Sequence, residues 1–419
     1  MIEKAILRAL FDKAVEVADP MQSLHEYLPS KPKGRVIVIG AGKASARMAE
    51  AVEKAWGPCD GLVITRYGYA RPCQGIKVIE AAHPVPDQAG LDATQALLSL
   101  VNGLTVKDYV LALISGGASA LMIAPAAGVS LTEKQAINTA LLASGAPIDQ
   151  MNIVRKHLSQ VKGGQLATAI YPAKLRALLI SDVSGDKIEY IGSGPTSGDD
   201  SSPADALAIL QRYKIDIPAS AKDHLTADSG VVSKSDKRLA GVENIIYAAP
   251  SHSIKAAAEL AERQGFTVNI LGDEIDGEAR EVAKEQAALA QSIQAGLAPE
   301  DKPVLLLSGG ELTVTRQGQG IGGPNAEFCL SLAIALDAAP GIFAIACDTD
   351  GVDGAAEVAG ALISPDTLNQ AQAAGVDPVT ALANNDAHTF FKQIDEQVVT
   401  GPTLTNVNDF RAILIRPFE

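Results

Sequence analysis

The chain has 419 residues, 47% of them apolar, 4% aromatic and 20% charged, and 35 Lys and Arg against 49 Asp and Glu give a formal net charge of −14. That length suits two domains and that apolar share fills sizeable cores, which excludes a disordered chain. The acidic balance leaves no basic footprint for nucleic acid or an anionic membrane surface, so an anionic ligand needs a local pocket of positive groups. Cores built from Ala, Val, Ile and Leu rather than aromatics point to parallel sheets covered by helices on both faces. Cys59, Cys73, Cys329 and Cys347 are scattered without metal-ligand spacing, which fits a reduced cytoplasmic setting. The opening MIEKAILRAL lacks a secretory pattern, and the uncharged stretch between Asp108 and Glu133 is broken by Gly116, Gly117, Pro125 and Gly128, so it reads as strand, turn and helix start rather than a membrane span.

An amphipathic helix opens the chain and closes near Pro20. A β-branched run at 35–39 then meets Gly40-Ala41-Gly42, which turns into the helical stretch KASARMAEAVEKA. Strand runs ending in Gly, Ser, Asp or His recur at 61–65, 76–79, 109–114 and 175–180, and their alternation with helices implies a parallel α/β sheet. The loose stretches GSGPTSGDDSSPADA and 226–237 place a domain boundary there, dividing the chain into 1–235 and 236–419. Beyond it strands are expected at 245–249, 266–271, 304–308, 311–315 and 342–346, so the second half is α/β as well. Functional residues in such sheets gather past the carboxyl ends of the strands.

Three glycine turns could hold phosphate. Gly40, Gly42 and the following helix N-terminus could cradle an anion with backbone amides. The pattern misses the dinucleotide fingerprint, whose third glycine is Ser45 here, and misses the Walker pattern, so a plain packing turn stays open. Lys43 in the first helical turn opposes the helix dipole unless an anion sits against it. Ser115-Gly116-Gly117-Ala118-Ser119 forms a second candidate nest, with a simple tight turn as the alternative. Ser308-Gly309-Gly310-Glu311 repeats it in the second half, suggesting two walls of one cleft.

Asp182 and Asp186 follow the 175–180 strand, and Asp348, Asp350 and Asp353 follow the 342–346 strand; as hard oxygen donors they suit Mg²⁺, or else they form turns and cap helices. DTDGVDG misses the calcium-loop template by one position. On one helix face Asn152, Arg155, Lys156 and Ser159 could meet a single anion, with Lys162 following, unless they form a solvated basic face. His83 in HPVPD is a candidate ligand contact, with a structural histidine as the alternative there and at His388.

In order, GAGKASARMA, HPVPD, LISGGASALM, NIVRKHLSQVKGG, LLISDVSGD, GSGPTSGD, SGGELTVT, GGPNAEF, DTDGVDG and GPTLTNVNDF resemble the glycerate 2-kinase family, whose C-terminal part is called the MOFRL domain. The resemblance implies a Rossmann-like N-terminal domain with a parallel sheet, a C-terminal α/β domain with a mixed sheet, and an active site in the cleft between them. It also implies ATP-dependent phosphorylation of D-glycerate at the 2-hydroxyl, with a divalent cation. Carried over by motif, the family's phosphate-handling lysine falls on Lys43, its glycine turns on Gly40, Gly42, Gly116 and Gly117, and its acidic motif on Asp182 and Asp186; with the turns read above, Lys43 and Asp182 are expected in catalysis and Gly40, Gly42, Ser115, Gly116, Gly117, Ser119, Gly309, Gly310 and Glu311 at the nucleotide. His83, Asn152, Arg155, Lys156 and Asn325 are expected at the substrate, and Asp182, Asp186 and Asp350 at Mg²⁺. Many relatives carry GGRN where this chain has Gly322-Gly323-Pro324-Asn325, which leaves Arg316 or Arg155 to substitute, and the usual GTN reads Leu404-Thr405-Asn406.

The leading expectation is therefore phosphoryl transfer from ATP to D-glycerate, by positioning and electrostatics, in a cytoplasmic enzyme that takes small molecules, neither nucleic acid nor membrane, and is compatible with a homodimer. The competing reading is an NAD(P)-dependent hydroxypyruvate reductase with GAGKAS as its dinucleotide turn and Arg66 on a 2′-phosphate. Against it, no acid closes the second strand and the third glycine is missing. A non-catalytic nucleotide sensor is the third reading, and the strand-end acids and cations are too many for it.

Overall fold

The computed structural model describes residues 2–354 and 356–418. They form two compact units, one of residues 20–247 and one in which 248–418 is joined by the opening segment up to Asp19. The boundary expected near 235 thus shifts, for two physical reasons. The strand at 242–248 adds to the first sheet, and the helix Ile2–Ala18 buries Leu7, Leu10 and Phe11 among residues of the second unit such as Ile254, Leu305 and Phe410.

The first unit carries β1 (Val36–Ala41), β2 (Asp60–Arg66), β3 (Ile76–Ala81), β4 (Tyr109–Ile114), β5 (Lys174–Ile180) and β6 (Val242–Ala248), in the order β3-β2-β1-β4-β5-β6. The pairings β1 with β2 and β4, β2 with β3, and β4 with β5 are all parallel. This is the doubly wound order, and its direction of winding reverses between β1 and β4. β1 is buried at every position, as expected of a central strand covered on both faces. Alternate residues Ile37 and Ile39 of β1 and Val110, Ala112 and Ile114 of β4 share one core with Ala93 and Leu97 of the helix Gln88–Leu100. A separate helical lobe packs Ile137 and Leu141 of the helix Leu131–Ala143 with Val154 and Leu158, beside Ile209 and Leu210.

The second unit carries β7 (Thr267–Gly272), β8 (Gly277–Glu278), β9 (Val304–Gly310), β10 (Leu312–Thr313), β11 (Ile342–Asp348), β12 (Gly360–Ile363), β13 (Gln397–Val398) and β14 (Asp409–Ile415). Its main sheet runs β13-β12-β11-β14-β9-β7, antiparallel throughout except for β7 with β9, while β8 and β10 form a small parallel pair. The helices Ala279–Gly296 and Pro324–Leu336 supply one hydrophobic core, and Ile2–Ala18 with Pro250–Arg263 another. The strand expected at 311–315 shrinks to β10, and β14, central and buried at all seven positions, stands where the sequence patterning shows none. Among the described residues no helix is long and apolar enough to cross a membrane, and the four cysteines are free thiols.

Candidate active site

The loops after β1 and β4 meet where the winding of the first sheet reverses, the place where open α/β sheets bind ligands. The first loop does not offer its amides. Gly42 N–H donates to Ile64 O (3.1 Å), Lys43 N–H to Gly116 O (2.8 Å), Ala44 N–H to Ser115 Oγ (3.0 Å) and Ser45 N–H to Gly42 O (3.1 Å). A Cβ on Gly40 would lie 2.4 Å from Leu113 O, and one on Gly42 would lie 2.1 Å from Ser115 Oγ. Gly40 and Gly42, expected to cradle phosphate, instead let β1 and its turn pack on β4. The close approach is to protein backbone, and Ser115 serves it by accepting from Ala44.

The second loop is arranged differently. Gly117 adopts the left-handed conformation at φ 82°, and the short helix Ala118–Leu121 follows. The N–H groups of Gly116, Gly117 and Ser119 have no partner among the described residues, as at any uncapped helix start. A Cβ on Gly117 would stand 3.0 Å from His83 Cδ2 and 3.3 Å from Lys43 Cγ, so both side chains converge on this one glycine. Ser119 Oγ lies 2.6 Å from Ser193 Oγ, which donates to Asn152 Oδ1 at 3.1 Å. Asn152 is thereby tied to Ser193, a buried residue held at φ 62°.

Beside Gly117 lies a cavity of about 170 Å³, well below the roughly 300–1,000 Å³ of sites for larger ligands. His83, Ser119, Lys134, Asn138, Arg155 and Lys162 line it, and among the described residues no carboxylate does. Lys134 and Lys162 are each only 1% exposed, and their ammonium groups donate to carbonyls alone, Lys134 to Arg155 O at 3.1 Å and Lys162 to Met122 O at 2.9 Å. Burial, reinforced by Lys162 and Arg155, holds the Lys134 ammonium well below its ordinary pKa. Burial, with Arg155 beside it, brings Lys162 down to about 7. Buried positive charge without an acid is costly, and a bound anion would offset it.

Of the residues expected at one anion, Arg155 reaches this cavity and Lys156 does not. Lys156 is buried against Asp199 (2.5 Å), with its ammonium 5.1 Å from the centre of the Tyr190 ring. Successive helical residues point about 100° apart, so the two cannot serve one site. Lys134 and Asn138 are additions that sequence reasoning missed. The available signal was Lys134 sharing an apolar face with Ile137 and Leu141, where a solvated lysine does not belong.

The second unit holds most of the remaining expected residues, and it corrects the turn expected at Gly309 and Gly310. Gly309 and Gly310 do not form a phosphate turn; they end strand β9 opposite Phe410 and Asp409 of β14. A Cβ on Gly310 would fall 2.2 Å from Ile275 O, and Gly309 O accepts from the Arg411 guanidinium at 2.6 Å. Glu311 next to them is exposed. Asn325 is fully buried, with its Nδ2 donating to Asp409 Oδ1 (2.6 Å) and Asp353 Oδ1 (3.3 Å), while its Oδ1 has no partner among the described residues. Pro324, where relatives carry arginine, is the first residue of the helix Pro324–Leu336, and Asp353 accepts from the N–H groups of Asn325 and Ala326 at that helix start. Burial raises the Asp409 carboxyl to about 6 although Arg411 draws it down. Asp350 accepts from Val352 N–H at 2.8 Å in a turn, and Arg316 donates to the carbonyls of Gly318 and Gly320. Asp182 and Asp186 follow β5, but among the described residues no group of three His, Cys, Asp or Glu side chains forms a metal cluster.

A doubly wound sheet with a small cavity beside its switch point, lined by three cationic side chains and no carboxylate among the described residues, defines an α/β protein of the ligand-binding open-sheet class. The chain belongs to the glycerate 2-kinase family with a C-terminal MOFRL domain. Residues 304–409 match the MOFRL family, and residues 6–226 match a family described as a domain of unknown function (DUF4147). The chain is 39% identical over 409 residues to the D-glycerate 2-kinase of Thermotoga maritima, covering 97% of each chain. A crystal structure of glycerate kinase from the same organism superposes with a TM-score of 0.89 at 38% identity, covering 98% of this chain and 99% of that one. An Agrobacterium vitis protein provisionally named hydroxypyruvate reductase is 50% identical, covering 98% of this chain and 94% of its own.

Proposed function

We propose that the protein transfers the terminal phosphoryl group of ATP to the 2-hydroxyl of D-glycerate, giving 2-phosphoglycerate and ADP. The observation that carries this reading is the cavity of Lys134, Arg155 and Lys162 without an acid, beside a glycine on which Lys43 and His83 converge. In the transfer the bond from the γ-phosphorus to the β-bridging oxygen breaks, the bond to the glycerate oxygen forms, and the hydroxyl proton passes to a carboxylate. Lys43 and the N–H groups of Gly116, Gly117 and Ser119 are suited to the charge that develops on the phosphoryl oxygens. Asp182, half-buried after β5, is our choice for the group that orients the hydroxyl and takes its proton.

Mg²⁺ fits the loop after β5 in one respect. Asp186 Oδ1 is buried without a hydrogen-bond partner among the described residues, and a carboxylate oxygen is the donor that Mg²⁺ prefers. Asp182 and Asp186 would hold the ion, which when bound neutralises charge on the phosphates. Four free thiols suit the reducing cytoplasm in which we place the enzyme.

Hydroxypyruvate reduction, the activity in the A. vitis protein's name, draws support from the dinucleotide-type strand order. The turn it needs has its amides committed inside the protein, and the Arg66 guanidinium lies over the Tyr69 ring, 5.2 Å from its centre. Two assays on the same preparation test the choice. ADP should form from ATP only when D-glycerate is added, and NADH with hydroxypyruvate should stay unoxidised; the opposite pair of results would overturn the kinase reading.

A further inference from the structure

We propose that a cavity at the amino-terminal edge of the first sheet is a second ligand site, built for a phosphate monoester carried on an apolar or aromatic body. Its volume is about 520 Å³, within the roughly 300–1,000 Å³ of small-molecule sites, and every residue lining it belongs to the first unit. β1, β4 and β5 are adjacent and parallel, so their amino ends share one edge of the sheet. The cavity lies at that edge, with Lys33 just before β1, Lys107 just before β4 and Lys174 at the start of β5. The loops of the candidate active site leave the carboxyl ends of the same strands, about 20 Å away for strands of six or seven residues.

Charge and polarity select the occupant. Lys33, Lys107 and Lys174 are exposed and take part in no ion pair among the described residues. The two carboxylates at the cavity are committed: Asp108 accepts from the N–H and the hydroxyl of Thr105 at 2.7 and 2.8 Å, and Glu243 meets Arg176 at 2.6 Å. Neighbouring strands lie about 4.8 Å apart, so side chains as long as lysine reach one phosphate from three of them. Three uncommitted ammonium groups suit a dianion and gather it locally on a chain of net charge −14. Pro29, Pro32, Leu175 and Val106, the last 69% exposed, offer a surface for an apolar body. Tyr109, also in the lining and opposite Val36 and Lys174 in register, has its hydroxyl buried without a hydrogen-bond partner among the described residues. Such a hydroxyl both donates and accepts, and leaving it unmatched is costly, so an occupant with a polar atom on its body is favoured. Inorganic phosphate would use the lysines alone, and a neutral ring would use none of them.

The test is calorimetry with para-nitrophenyl phosphate, whose ring, acceptor oxygens and phosphate match these three features. It is titrated into the full chain with ADP and D-glycerate both saturating, so that the candidate active site is filled. Binding of a single probe per chain is expected, with inorganic phosphate and para-nitrophenol each weaker by ~10-fold or more, the scale of lost charged hydrogen bonds or of a lost apolar surface. Lys107→Glu and Lys174→Glu, surface changes that should leave the fold and kcat unaltered, should each weaken the probe by ~10-fold or more. Probe binding abolished by ADP and D-glycerate would assign it to the active site and overturn the proposal. An affinity unmoved by both charge reversals, or matched by inorganic phosphate, would overturn it as well. The reversals read binding alone, so the outcome stands whether or not the protein phosphorylates glycerate.

Discussion

The same tripeptide, Ser-Gly-Gly, ends a buried strand in each unit, and the two copies do opposite things. At 115–117 the chain leaves the sheet, Gly117 turns left-handed, and Ala118 opens a short helix with unpaired amides. At 308–310 the chain stays in the sheet, paired with β14, and the glycines are there because Ile254, Ile275 and Asp409 leave no room for a side chain. The next four residues decide between the two fates: Ala-Ser-Ala-Leu favours a helix, Glu-Leu-Thr-Val another strand. Charge is buried in two ways as well, and the first unit holds both, since its Lys156 is paired with Asp199. In the second unit Arg411 meets Asp409 at 3.0 Å and Arg280 meets Glu327 at 2.5 Å, whereas the cavity of the first unit gathers cations with no acid. Paired buried charge links the fold together; unpaired buried charge of one sign makes a place for a ligand.

Four experiments can break this contrast. The largest effect is expected for Lys43→Ala, with kcat lower by about 10² to 10⁴-fold and the melting temperature unchanged; retention of half the activity would remove Lys43 from the mechanism. Next come two buried lysines of one lobe. Asp199→Asn strands Lys156 and should cost about 3 kcal/mol in urea unfolding, while Lys162→Met removes an unpaired cation and should stabilise the ligand-free protein by about 1 kcal/mol or more. If both variants lose stability equally, Lys162 is structural and the contrast fails.

Smaller effects separate the glycines. Gly310→Ala should destabilise by about 2 kcal/mol, because its Cβ meets backbone at φ 111°, with activity per folded molecule retained. Gly117→Ala should cost only about 1 kcal/mol but displace Lys43 and His83, so activity falls instead. The smallest effect is pH-dependent. Lys162 has a folded-state pKa of about 7, below its unfolded value, so the unfolded chain binds more protons between pH 7 and about 10. The stability contributed at this site therefore rises with pH across that window. Saturating glycerate should flatten the rise by raising the folded-state value, as paired thermal melts at pH 7 and pH 9 would show.

Much of this organisation is legible in the chain. β1 to β5 are apolar, β-branched runs ended by turn residues, and each lies where the patterning puts it. β14 escaped because Asp409 and Arg411 interrupt its apolar run; their charges satisfy one another inside the protein, which periodicity cannot register. Lys134 escaped because a lysine is assigned to the surface unless the burial of its helix face is known. The motif GAGKAS is equally instructive. Its glycines are demanded by the neighbouring strand, and a sequence cannot distinguish a backbone that approaches phosphate from one that approaches Leu113.

The position of the new phosphate ester tests the central claim most directly. The protein would be incubated with D-glycerate, ATP and Mg²⁺ and the product observed by phosphorus NMR with proton coupling retained. Phosphorylation at the 2-hydroxyl predicts a resonance split into a doublet by the single proton on the ester carbon. A triplet from two methylene protons would place the phosphate on the 3-hydroxyl, and release of inorganic phosphate alone would mean that glycerate is not the acceptor.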